Sequence, residues 1–167
     1  MDRRHQKKHL SNCSAKWHQK SPIFLLWFGF AKCDSSQVFI IKNHNSKWLA
    51  QSIILRYSWN DSLLQTSLSD TIVTVNYPAI NWKNFLSELF VLNITSLPDM
   101  DKIKGYKDIG GIDGSGCCVE VATRSRYRFY GYWYPKRFQD QYWQAKSMTK
   151  IIKLLERECS FKPLREL

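Results

Sequence analysis

No histidine lies beyond His44, and only four occur in the 167 residues. A cysteine nucleophile needs a nearby imidazole base, so the C-terminal two thirds offers no Cys–His chemistry from its own residues. His5, His9 and His18 cluster with Cys13 near the start, but their spacings match no zinc pattern. Five cysteines include no CxxC pair and no spaced framework. Cys117 and Cys118 are neighbours, which on a strand point to opposite faces, so reduced thiols are expected. The longest apolar run, within 21–33, is about ten residues, against the ~20 that a membrane-spanning helix requires. The glycines near 110–116 sit in no parallel βαβ unit, which excludes a dinucleotide fingerprint. Asp108 and Asp113 lack the ligand order of an EF-hand loop. No cofactor and no metal is implied.

Aromatic residues are abundant. They make up 14% of the chain, with seven Trp, and this favours an ordered, well-packed fold over disorder. The length suits one domain with a sizeable core. The net charge of +11 is uneven. Residues 1–20 carry six basic side chains against one acid, residues 21–122 eight against nine, and residues 123–167 eleven against four. Such a field favours anionic partners.

Residues 1–20 have no apolar period and read as a basic flexible tail ahead of a single domain over 21–167. The apolar run that follows has two readings. It can be the hydrophobic part of an export signal, since basic residues precede it, or a buried first strand, which is preferred. Leu10-Ser11-Asn12-Cys13 echoes a lipid-attachment sequence without an apolar segment before it. The absence of a disulfide framework tilts localisation towards the cytoplasm, with an exported or lipid-anchored form as the alternative.

A meander is expected next. QVFIIK at 37–42 is a strand, the Asn-His-Asn-Ser stretch at 43–46 is a turn, and 48–59 is a second strand. DTIVTVNY at 70–77 alternates Ile72, Thr74 and Asn76 against Val73, Val75 and Tyr77, which fits a half-buried third strand. Asn81 can cap a helix in which Trp82, Phe85, Leu86, Leu89 and Phe90 recur every three or four residues. The segment at 140–159 is the cleanest helix. Ala145, Met148, Ile152, Leu155 and Cys159 form its apolar stripe, and Lys146, Lys150, Lys153 and Arg157 its basic face. That face is expected to be solvated, with Lys153 and Arg157 pairing locally to Glu156 or Glu158.

The stretch at 108–134 organises the rest. A glycine-rich approach leads into a strand around Val119 and Val121, a turn at 123–126, and an aromatic strand stopped by Pro135. Glu120, Arg128, Tyr130 and Tyr132 are expected on an exposed or half-exposed face. Interleaved Arg and aromatic residues can grip an acidic protein surface, or they can stack bases while contacting phosphate. The candidate binding residues are Arg124, Arg126, Arg128, Tyr130, Tyr132 and Arg137. An enzyme would need Asp113 or Glu120 in a concave pocket with a second polar group.

The residues IDGSGCCVEV, then YRFYGYWYP and the helix beginning near Tyr142-Trp143, resemble a loose pattern in small uncharacterised bacterial proteins. There an Asp-Gly turn leads into a strand bearing Glu, a Tyr-rich strand, a Pro and a closing helix. The resemblance spans about 112–158 and implies a fold without an activity. The expectation is an α+β domain: an antiparallel sheet of five or six strands with two amphipathic helices on one face. Its leading function is non-enzymatic interaction with an acidic protein partner. Single-stranded nucleic-acid binding is the first alternative and an enzyme the second. Oligomeric state stays open.

Overall fold

The computed structural model describes residues 23–28, 35–61, 65–106, 116–123 and 125–163. The expected basic tail, the glycine-rich approach with Asp108 and Asp113, and Arg124 lie outside the described residues.

The fold is α+β. Six strands form one antiparallel sheet: β1 (Ile23–Phe28), β2 (Ser35–His44), β3 (Lys47–Asn60), β4 (Gln65–Asn76), β5 (Gly116–Ala122) and β6 (Tyr127–Trp133). Their spatial order is β4-β3-β2-β1-β5-β6, so β1 sits near the middle and the late hairpin pairs onto it. The apolar run after residue 21 thus contributes a central strand, with Leu26 opposite Phe39 on one side and Val119 on the other. Three helices are described: α1 (Trp82–Val91), α2 (Pro135–Phe138) and α3 (Trp143–Cys159). Among the described residues no helix is long and apolar enough to cross a membrane.

Local chemistry accounts for the boundaries. Asn45 and Ser46 join β2 to β3 with φ of 49° and 63°, and two successive positive-φ residues match the twist of a tight hairpin. The Asn81 side chain accepts the Asn84 amide at 2.9 Å and so caps α1. β6 ends where Tyr134 turns left-handed at φ 47° and Pro135 takes the first helical position of α2. Four residues are too few to leave an apolar period, so the sequence marks only a strand stop at Pro135 where this short helix begins. α3 accordingly starts at Trp143 rather than 140.

One core gathers the sheet and the helices. It holds Phe24, Leu26 and Phe28 from β1, Phe39 and Ile41 from β2, and Val119 and Val121 from β5. Phe85 and Leu89 of α1 join it, as do Ala145, Met148, Ile151 and Leu155 of α3. Phe161 closes one end, with ring centroids 4.8 Å from Phe28 and 5.1 Å from Phe39. The end of β4 is tied to the end of α3: the Asn76 amide donates to the Cys159 carbonyl at 2.9 Å, and the Ala79 amide to the Glu158 carbonyl at 2.8 Å.

Candidate functional site

The β5–β6 hairpin forms as its sequence suggests, with Val119 opposite Tyr130 and Glu120 opposite Phe129. That register splits the expected face. Facing alternates along a strand, so Glu120 and Phe129 lie on one side of the sheet while Arg128, Tyr130 and Tyr132 lie on the other. The exposure expected for the two tyrosines is therefore corrected: Tyr130 is 0% and Tyr132 1% exposed, both inside the core. A slip of one residue inverts every facing, and periodicity does not fix the register.

What the arm does instead is visible in its bonds. The Tyr130 hydroxyl donates to the Ile94 carbonyl at 2.6 Å, and the Tyr132 hydroxyl to the Pro98 carbonyl at 2.5 Å. The Arg128 guanidinium donates to the Thr95 carbonyl and, at 2.8 Å, to the Leu97 carbonyl. It also lies over the Tyr130 ring, 5.8 Å from the centroid. Three neighbouring side chains thus clamp the 94–98 connection that follows α1, a connection whose Ile94 and Leu97 are fully buried. The clamp satisfies backbone carbonyls that α1 and the sheet leave open. Burial pushes both phenols well above the ordinary tyrosine range, and the Arg128 charge offsets that only in part. They stay neutral donors. Next door, the Tyr106 hydroxyl donates to the Trp133 carbonyl at 2.9 Å, and its ring packs on Tyr132, Phe138 and Tyr142.

The remaining predicted residues are not gathered into a site. Arg126 is exposed at the hairpin turn, where its amide and carbonyl both bond to Thr123. Arg137 is exposed on α2 and stacks over Phe138 at 5.5 Å. Glu120 is half-buried, and its two oxygens accept from Trp27 Nε1 and the Tyr127 hydroxyl, each at 2.8 Å. A carboxylate held at both oxygens is positioned as a cross-strand strut. Among the described residues no group of three His, Cys, Asp or Glu side chains comes together.

The thiols are packing groups. Cys117 is buried in the core, and burial pushes its thiol up to about 12. Cys118 points to the other face, beside Gly131, and burial raises it as well. A Cβ at Gly131 would stand 3.0 Å from the Cys118 sulfur and 3.3 Å from the Cys117 carbonyl. A side chain there is therefore tight, and the Cys118 sulfur would have to give by a few tenths of an ångström.

The concave surfaces lie elsewhere, along α1. One groove of about 640 Å³ runs between α1 and α3, with Val91, Leu92 and Leu154 as apolar lining and Lys150, Lys153 and Arg157 at its rim. A second groove, of about 840 Å³, lies on the other flank of α1 and is lined by Trp48, Trp82, Leu86 and Phe90. Ser87 and Val91 belong to both. Val91 is 76% and Phe90 49% exposed, which leaves a large apolar ridge facing solvent between the grooves. Arg157 is engaged by Glu88 at 2.9 Å and Glu158 at 2.5 Å. Lys150 and Lys153 have no acidic partner among the described residues, so of the two local pairings expected only that of Arg157 forms. The basic face was legible in the sequence. The ridge was not, because Phe90 was counted into the buried stripe of α1.

No family model, no curated protein and no solved structure matches this chain. The functional reading therefore rests on surface chemistry alone.

Proposed function

We propose that this protein is a non-enzymatic binding protein whose partner is an acidic protein segment carrying apolar side chains. The observation that carries the reading is the Phe90–Val91 ridge beside the exposed ammonium groups of Lys150 and Lys153, which have no acidic partner among the described residues. An exposed apolar ridge beside a groove is a feature that binding surfaces use, and with Glu88 of the groove held by Arg157, the two lysines leave a net positive border that favours an anionic partner. An amphipathic helix would seat its apolar residues along Val91 and Trp82 and set its carboxylates against the lysines. This places the contact on α1 and α3 rather than on the hairpin. The arginines at 126 and 137 then add positive potential that steers encounter, while Arg128, Tyr130 and Tyr132 hold the scaffold. The reading takes α1 and α3 to roof the same face of the sheet, since both contribute to the cluster built on Phe24, Leu26 and Val119.

The test is anisotropy of a labelled synthetic helix with Leu at positions i, i+3, i+4 and i+7 and Glu between them. Binding should saturate, weaken with added salt, and fall roughly tenfold or more in Lys150→Glu/Lys153→Glu. Both lysines are exposed, so the fold should persist. An unchanged affinity in that variant refutes the surface. Retention of a single-stranded oligonucleotide in place of the peptide would select nucleic-acid binding instead.

A further inference from the structure

Among the described elements β4 is the most exposed. Eleven consecutive residues, from Gln65 to Val75, are exposed, which corrects the half-buried strand that the alternation at 70–77 suggests: its described sheet partner is β3 alone, and neither face is buried. Five large hydrophobic residues are exposed on and just after it: Leu68, Ile72, Val73, Val75 and Tyr77. Edge strands are normally blunted by Lys, Pro or inward charges, since their open row of amides and carbonyls invites pairing. β6, at the opposite edge, is seven residues long and carries Arg128 within it and Pro135 just beyond. β4 has no basic residue and no proline, and its single charge, Asp70, lies 3.7 Å from Arg56 of β3.

The ladder itself delimits a pairing segment. A register shift between Arg56 and Tyr57 leaves Ser69 as an extra residue, and Pro78 follows the strand. Between them, Asp70 to Asn76 pairs with β3 without interruption. We propose that this run pairs antiparallel with the same run of a second copy, making a two-fold dimer whose sheet continues across the β4 edges. Full overlap of the run puts the axis at Val73. Val73 then faces its own counterpart, Val75 faces Thr71, and Ile72 faces Thr74. Those are β-branched pairs, the kind that cross-strand contacts favour. Asp70 falls opposite Asn76, so no like charges meet. An isologous contact of this sort needs only one self-complementary strip. On a chain of net charge +11, a strip without a basic residue is also where two copies repel least. An acidic partner would be drawn to the lysines of α3 rather than here.

Sedimentation velocity of the full chain over a dilution series is the first test. The wild type should show a dimer that dissociates on dilution. Val73→Lys/Val75→Lys should be monomeric, with an unfolding midpoint close to that of wild type diluted to monomer, because both side chains are about half exposed in the single chain. A wild type that stays monomeric at every concentration, or a double variant that stays dimeric, overturns the proposal. A cysteine pair of variants tests the register. Either kind of antiparallel pair holds its α-carbons within disulfide range. Val73→Cys should therefore cross-link to a dimer on mild oxidation, far beyond the wild type and beyond Val75→Cys, whose counterpart is Thr71. Equal cross-linking by both variants, or none by Val73→Cys, overturns the two-fold at Val73.

Discussion

Tyr130→Phe removes one oxygen and leaves the ring in place, so it isolates the clamp that holds the connection after α1. Ile94 is 0% exposed, and its carbonyl accepts the Tyr130 hydroxyl at 2.6 Å. The variant leaves that carbonyl buried without its donor. Such a loss costs about 1–3 kcal/mol, more than the net value of an ordinary exchangeable hydrogen bond. For a chain of this size, each kcal/mol shifts the midpoint by roughly 2–4 °C, so a fall of several degrees is expected. Urea unfolding followed by tryptophan fluorescence should show a lower midpoint with an unchanged slope. Tyr132→Phe should cost a similar amount, and the pair should be non-additive because both bonds secure the same segment. Arg126→Ala, at the exposed turn, serves as the control and should stay within about 0.5 kcal/mol of wild type. A Tyr130→Phe variant as stable as wild type, or an Arg126→Ala variant that loses as much, would show that the arm is not what secures residues 94–98.

Two further outcomes follow from the core thiols and phenols. Burial raises Cys117 from 9.0 to about 12, so its thiol stays protonated when the unfolded chain has already ionised. Stability from this group is complete below about pH 9 and falls as pH rises towards 12, by up to about 1.4 kcal/mol per pH unit. Tyr130 and Tyr132, raised by the same cause, add to the loss once pH passes their ordinary value of 10.0. Thermal unfolding between pH 8 and 11 checks this, and a flat profile above pH 9 contradicts it. Gly131→Ala should cost about 1–3 kcal/mol by overpacking against the Cys118 sulfur. Cys118→Ala in the same chain should recover part of that cost, and denaturant midpoints of the four variants measure the coupling.

Much of the architecture was legible from local chemistry. The alternation at 70–77 and the three-to-four-residue repeats around Phe85 and Met148 mark a strand and two helices, since each repeat arises within a single element. Asn81 marks a helix start by its side-chain oxygen, and the adjacent Cys117 and Cys118 do point to opposite faces. The basic face of Lys146, Lys150 and Lys153 is likewise a property of spacing. The fate of the Arg/Tyr arm was different. Whether Arg128, Tyr130 and Tyr132 face solvent or core depends on pairing Val119 with Tyr130, and on what the 94–98 connection brings against that face. No feature of the hairpin's own sequence encodes either.

The chain's order of apolar and polar residues was enough to specify an antiparallel sheet with helices, since those repeats arise within single elements. Tertiary structure alone decided that the tyrosines serve as internal donors, that Phe90 and Val91 stand out between two grooves, and that β4 has only β3 beside it among the described residues. Each of these depends on which surfaces meet across long separations in the chain, and a contact between distant segments leaves no period in either one.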